Sequence, residues 1–139
     1  VIMPLEPLRE LVQAQKAMSN PSMLILDARP RDDYTGKNTD NEKVKRPGHI
    51  PGATNVYWMQ TIESKENPVL RPAEEIRALY ANAGLTPDET VVTYCQSGVQ
   101  AAHGYFTLKY LGYKPRLYDG SFIEWSETED LPINTGLEP

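Results

Sequence analysis

One cysteine, Cys95, stands in the 139 residues, so no disulfide can form within the chain, and zinc sites of four cysteines, or of two cysteines and two histidines, are excluded. Positive charge is also scarce. Fourteen Lys and Arg face 19 Asp and Glu, and the net charge of −5 removes the basic footprint of a general nucleic-acid binder. Any anionic ligand must then be held locally. No apolar run approaches the ~18 residues of a membrane span, and Val1-Ile2-Met3-Pro4 lacks the charged lead and apolar core of a secretory signal. A cytoplasmic protein that engages neither membrane nor nucleic acid is expected, with a processed or exported form as the alternative, since the sequence does not begin with Met and a missing signal says little about compartment. What is present, 40% hydrophobic and 24% charged residues, is the composition of a globular protein, and 1–139 is the length of one domain. A lone cysteine is ordinarily a small buried hydrophobe, so its neighbours decide its meaning.

Leu5, Leu8 and Val12, with Leu11 flanking, recur at helical spacing up to the break at Ser19-Asn20-Pro21. Met23 to Leu26 is a continuous apolar run ending at Asp27, the pattern of a strand buried on both faces. Residues 30–52 are polar and rich in turn formers, a loop long enough to suggest a function. A short strand is expected over Ala53–Tyr57 and a helix opening at Pro72 as its first residue, with Ile76, Leu79, Tyr80 and Ala83 on one face and Gly84 as the stop. Thr90–Tyr94 reads as a strand, Gln100–Leu111 as a helix closed by Gly112, and Arg116–Tyr118 as a last strand. Ser121 is placed to cap a short helix carrying Phe122 and Trp125. Strands of four or five residues alternating with helices give an α/β fold, a parallel central sheet flanked by helices on both faces, with ligands beyond the carboxyl ends of the strands.

Cys95 sits at such an end. Val91-Val92-Thr93-Tyr94 delivers the thiol into Gln96-Ser97-Gly98-Val99-Gln100, which runs directly into a helix. Backbone N–H groups of this loop and of the first helical turn are expected to point at the sulfur and, with the helix dipole, to favour a thiolate. Gly98 supplies the positive φ that a tight loop requires, and Ala101 and Ala102 allow close helix–sheet packing. The context makes Cys95 a nucleophile rather than an inert core residue.

Four separated pieces then resemble the rhodanese (sulfurtransferase) family: Asp27-Ala28-Arg29, Arg46-Pro47-Gly48-His49-Ile50-Pro51-Gly52-Ala53, the Cys95–Gln100 loop, and Tyr118-Asp119-Gly120-Ser121-Phe122-Ile123-Glu124-Trp125. They occur in family order between about Leu24 and Trp125, and the last is most like the C-terminal catalytic domain of tandem rhodaneses. The resemblance implies a rhodanese-like fold and ping-pong sulfur transfer: Cys95 takes the sulfane sulfur of thiosulfate or 3-mercaptopyruvate as a persulfide and passes it to cyanide or a thiol. The amides of Gln96, Ser97, Gly98, Val99 and Gln100 would stabilise thiolate and persulfide. No metal or organic cofactor is implied. Thiosulfate-preferring members often carry Arg and Lys after the cysteine, where Gln96 and Ser97 stand here. Mercaptopyruvate-preferring members tend to carry Gly-Ser there and Thr at the position of Gln100. The neutral loop fits neither pattern fully, so the donor stays open. A protein sulfur acceptor, a second rhodanese domain as partner and a regulatory module are the alternatives. The cell-division-cycle dual-specificity phosphatases, which share the fold, need an Arg six residues after the cysteine, and Ala101 stands there.

Arg29 and Arg46 are the substrate-binding candidates that the resemblance implies, since a guanidinium grips a sulfonate or carboxylate through parallel N–H bonds. The alternatives are a salt bridge to Asp27 or a tie to the active-site loop for Arg29, and a surface role for Arg46. Arg31 reads as a solvated partner of Asp32 and Asp33. His49 reads as a structural hydrogen-bonder, and His103, two helical turns past Cys95, as lying on the wrong side of the loop to serve as a base. Glu124, Glu127, Glu129 and Asp130 read as a solvated face, or as docking for a basic partner.

Overall fold

The computed structural model describes residues 7–8 and 11–139, with side chains from Ala14 onward. In chain order the elements are β1 (Pro7–Leu8), α1 (Leu11–Ser19), β2 (Met23–Asp27), α2 (Arg31–Thr35), β3 (Ala53–Asn55) and a 3-10 turn over Trp58–Thr61. They continue with α3 (Ala73–Asn82), β4 (Thr90–Tyr94), α4 (Val99–Tyr110), β5 (Lys114–Tyr118) and α5 (Ser121–Glu127). The strands form one sheet in the order β1-β5-β4-β2-β3, and every pairing is parallel. Register places Asp27 opposite both Tyr94 and Asn55. Three strands therefore end side by side, and the loops that leave them meet at one edge.

Alternation along the buried strands divides the core into two layers. Ile25, Val92, Tyr94 and Tyr118 pack with Ala14 and Ala17 of α1, Tyr34 of α2, and Phe122 and Trp125 of α5. Leu26 and Val91 face the other way, with Ile76 and Tyr80 of α3 and Leu108 of α4. Beneath the edge that carries the loops, Cys95 joins Ala28, Ala101, Tyr105 and Leu117, with Trp58 against them. Each large apolar side chain removed from water here contributes about 1.5–3 kcal/mol, so both layers hold the sheet against its helices. The expected fold class, helices on both faces of a parallel sheet, is what forms.

Some boundaries differ from the sequence reading. The helical spacing extended back to Leu5, but α1 starts at Leu11, Leu8 lies in β1, and Leu5 falls outside the described residues, as does Val1-Ile2-Met3-Pro4. The polar loop contains α2, a five-residue helix with only Tyr34 buried, closed by Gly36 at φ 81°. Pro72 is the cap before α3 rather than its first residue. The strand expected to Tyr57 stops at Asn55 because the chain turns into the 3-10 segment. Helix α4 begins at Val99 and ends at Tyr110, one residue earlier at each end than expected.

Candidate active site

β4 carries Cys95 to the sheet edge, where the residue is 1% exposed. The Gly98 N–H donates to Cys95 Sγ at 3.0 Å. The amides of Gln96, Ser97, Val99 and Gln100 make no hydrogen bond to Sγ, so the loop meets the sulfur through Gly98. Two observations fix glycine at that position. Its φ is 103°, which L residues rarely adopt, and a Cβ would stand 3.0 Å from the Asp119 carbonyl oxygen.

The start of α5 holds the backbone of Cys95. Phe122 N donates to Cys95 O at 2.9 Å and Ile123 N to Gln96 O at 3.1 Å. The Cys95 N–H donates at 3.2 Å to Ser121 Oγ, whose own proton goes to Tyr118 O at 2.9 Å. Ser121 is fully buried and, among the described residues, the one non-glycine at positive φ, 56°. Such a conformation costs on the order of 1–3 kcal/mol and persists only when its surroundings impose it. The sequence reading made Ser121 a helix cap. No side-chain cap forms, and its hydroxyl instead satisfies the amide of the cysteine. The signal was present in Asp119-Gly120-Ser121, but periodicity shows a helix start and not which loop that start supports.

Arg29 lies beneath the loop. Its Nε and Nη2 donate to the Asp27 carboxylate, Nη2 also to Gly48 O at 2.6 Å, and Nη1 to Gln96 Oε1 at 3.0 Å. The Phe122 ring lies 4.1 Å from its guanidinium carbon. Burial works against its charge, but Asp27, through attraction and hydrogen bonds, outweighs that and raises the Arg29 pKa above its ordinary value. With the side chain 1% exposed and its donors engaged, Arg29 ties the loop to β2, the tie to Asp27 and to the active-site loop that the sequence offered as the alternative to substrate contact. Arg46 is half-buried and engaged as well. Its guanidinium donates to the carbonyls of Ser126 at 3.2 Å, Leu131 at 2.8 Å and Thr128 at 2.6 Å, neutralising the carbonyl end of α5.

His49 is structural, as its turn suggested: its ring nitrogens lie 2.7 Å from Tyr34 O and 2.9 Å from Glu138 O, and it stacks on Tyr34. The turn before it is equally fixed. A Cβ on Gly48 would collide with Asn134 O, and Ile50 N donates to the buried Tyr94 hydroxyl. His103 faces Thr61 Oγ1 at 2.7 Å. That hydroxyl spends its proton on Trp58 O, so His103 Nε2 is the donor, and burial pushes the His103 pKa down. Glu124 departs from the solvated-face reading, because it is partly buried and accepts the Tyr118 hydroxyl at 2.8 Å, whereas Glu127, Glu129 and Asp130 are exposed. Arg31 makes no ion pair with Asp32 or Asp33. Among the described residues no group of three or more His, Cys, Asp or Glu is placed to hold a metal, and no helix is long and apolar enough to cross a membrane.

The family model described as a rhodanese-like domain matches residues 10–128. The chain is 38% identical to "Sulfur carrier protein TtuD" of Thermus thermophilus, over 82% of the chain and 42% of that protein. It is 40% identical to "Thiosulfate sulfurtransferase" of Corynebacterium glutamicum, over 82% of the chain and 39% of that protein. The chain thus spans about two-fifths of the length of these curated relatives. Among solved structures, the anaerobic ergothioneine biosynthesis enzyme from Chlorobium limicola superposes at a TM-score of 0.81 and 22% identity, over 91% of this chain and 31% of that one. That likeness concerns the fold.

Proposed function

The chain belongs to the rhodanese family, and on that premise we propose that it is a sulfurtransferase in which Cys95 carries the transferred sulfur as a persulfide. The observation that supports this reading is a lone thiol at the carboxyl end of a parallel strand, with the Gly98 N–H on Sγ at 3.0 Å in a loop clamped by α5. In the first half-reaction the Cys95 thiolate attacks the outer sulfur of thiosulfate. A Cys–S bond forms, the donor's S–S bond breaks, and sulfite leaves with the bonding pair. 3-Mercaptopyruvate would supply the same sulfur with pyruvate as the carbon product, the thiol proton ending on the carbon left behind. In the second half-reaction cyanide or a thiolate attacks the outer sulfur, and the electron pair of the broken S–S bond returns to Cys95.

The protein's part is positional. Gly98 N–H stabilises the sulfur when it bears charge, and the amides of Gln96, Ser97, Val99 and Gln100, which make no bond to Sγ, are the donors nearest in sequence for the outer sulfur of a persulfide. The reaction needs neither metal nor organic cofactor. Residues 1–139 act as one domain in this reading, with a small anionic donor and a thiol or cyanide as acceptor. Delivery to a protein thiol is the same chemistry with a different recipient.

Cys95→Ser is expected to abolish thiocyanate formation from thiosulfate or 3-mercaptopyruvate while leaving the thermal unfolding midpoint close to that of the parent. Intact-mass measurement of the parent after donor treatment should show one added sulfur that cyanide removes. Full turnover in the serine variant, or no adduct with either donor, would overturn the assignment.

A further inference from the structure

Beside the cysteine loop stands a charge that the sulfur chemistry above leaves unused. Residues 95–100 carry no charged side chain. Arg29, beneath them, is cancelled by Asp27 at 2.6 Å, and Arg46 is engaged at the far end of α5. Asp119, in the turn between β5 and α5, differs from both. It is exposed, and among the described residues its carboxylate takes part in no hydrogen bond and no ion pair. Glu124, the next acid in the chain, is spent on the Tyr118 hydroxyl at 2.8 Å.

The Asp119 carboxylate lies against the loop. A Cβ on Gly98 would stand 3.2 Å from Asp119 Oδ1, and Gly98 N is 3.0 Å from Cys95 Sγ. Covalent geometry within Gly98 then keeps Oδ1 within about 9 Å of the sulfur. The backbone that carries Asp119 is fixed relative to the cysteine, because Ser121 and Phe122 bond to Cys95 N and O. A free carboxylate held at that distance from the nucleophile makes the local potential negative, with no charge of the loop to offset it.

Resting on the reading of Cys95 as a persulfide carrier, we propose that Asp119 selects the sulfur acceptor by charge, and that the acceptor is a small aminothiol whose ammonium pairs with the Asp119 carboxylate. The acceptor thiolate bonds to the outer sulfur as the bond from that sulfur to Sγ breaks. The electron pair returns to Cys95, and the proton of the acceptor thiol goes to solvent. The lengths agree, since two S–S separations of about 2 Å followed by a two-carbon amine reach roughly 8 Å from Sγ. An acceptor with a carboxylate in place of the ammonium meets repulsion at the same point. Because the pair forms at an exposed position, selection is a matter of a few-fold.

The test is made on the second half-reaction. The Cys95 persulfide is prepared with excess donor, its added sulfur is verified by intact mass, and the donor is removed. Discharge is then followed in single turnover with cysteamine, 2-mercaptoethanol and mercaptoacetate, each rate constant taken per thiolate and relative to the same thiol acting on a small-molecule persulfide. At an ionic strength of about 10 mM, cysteamine is expected to exceed the isosteric 2-mercaptoethanol about three- to fivefold, with mercaptoacetate below it. The order should collapse in Asp119→Asn and persist in Asp119→Glu. In the parent, it should shrink as salt is raised to about 500 mM, a measurement that needs no variant to fold. Equal rates for the three thiols in the parent, or a preference that survives in Asp119→Asn, would overturn the proposal and leave the persulfide assignment standing. Absence of the added sulfur would overturn both.

Discussion

Arg29 is held from several sides at once: by the Asp27 carboxylate, the Gly48 carbonyl, the Gln96 amide oxygen and the Phe122 ring. A charge so enclosed is costly to bury and costlier to leave half-paired. Arg29→Met keeps much of the volume but strands Asp27, which is fully buried, so a stability loss of about 3–5 kcal/mol is expected in urea unfolding. A loss below about 1 kcal/mol would show that the pair does not hold the loop. His103 offers a second prediction at this scale, with a definite sign. Burial lowers its folded pKa below the ordinary 6.5, so the unfolded chain binds the proton more readily. The stability tied to neutral His103 is present above about pH 6.5 and is lost as pH falls through the lowered folded value. Subtracting the pH profile of His103→Gln from that of the parent should leave a limb that declines toward acid. A flat difference between pH 7 and 5 would contradict it.

Helix α5 joins two parts of the site that look unrelated in sequence. Its first residues hold the backbone of Cys95 and Gln96, and Arg46 takes the carbonyls at and beyond its other end. Arg46→Ala removes three charge-assisted bonds at a half-buried position, so a loss of about 1.5–3 kcal/mol is expected by thermal unfolding, with KM for an anionic donor nearly unchanged. A large rise in KM at unaltered stability would instead place Arg46 at the ligand. The four segments and the cysteine loop were legible because each depends on residue type: glycine for positive φ, an apolar run for a buried strand. The partners of Arg29, Arg46 and Ser121 were not, since each is fixed by groups between 19 and 85 residues away or by a neighbouring backbone that spacing does not reveal. Helix α2 escaped notice because one buried Tyr34 in five residues makes no periodic pattern. Helix α4 was visible as a helix, but it is apolar on both sides, burying Ala101 and Leu108 while leaving Val99, Phe106 and Tyr110 exposed, so the sequence did not show which face is covered.

Over the whole molecule, charge sets the terms on which an anionic donor arrives. In the proposed reaction the net charge of −5 repels an anionic donor such as thiosulfate at a distance, whereas the attraction that would hold it acts within a few ångströms, through the loop amides. Arg29 adds little to that local field, because its charge is cancelled by Asp27 at 2.6 Å. The two contributions respond differently to salt. Raising ionic strength from about 10 mM to 150 mM shortens the Debye length from roughly 30 Å to 8 Å, which screens the distant repulsion and leaves short contacts almost untouched. The rate constant for persulfide formation from thiosulfate, measured under single-turnover conditions with a weakly binding salt, is therefore expected to rise by up to about twofold across that range, because long-range steering is the part that salt removes. With a neutral persulfide donor in place of thiosulfate, the same change of salt should leave the rate unaltered. If the thiosulfate rate falls instead, a positive local field at the loop governs capture, and cations there must outweigh the acidic surface of the molecule.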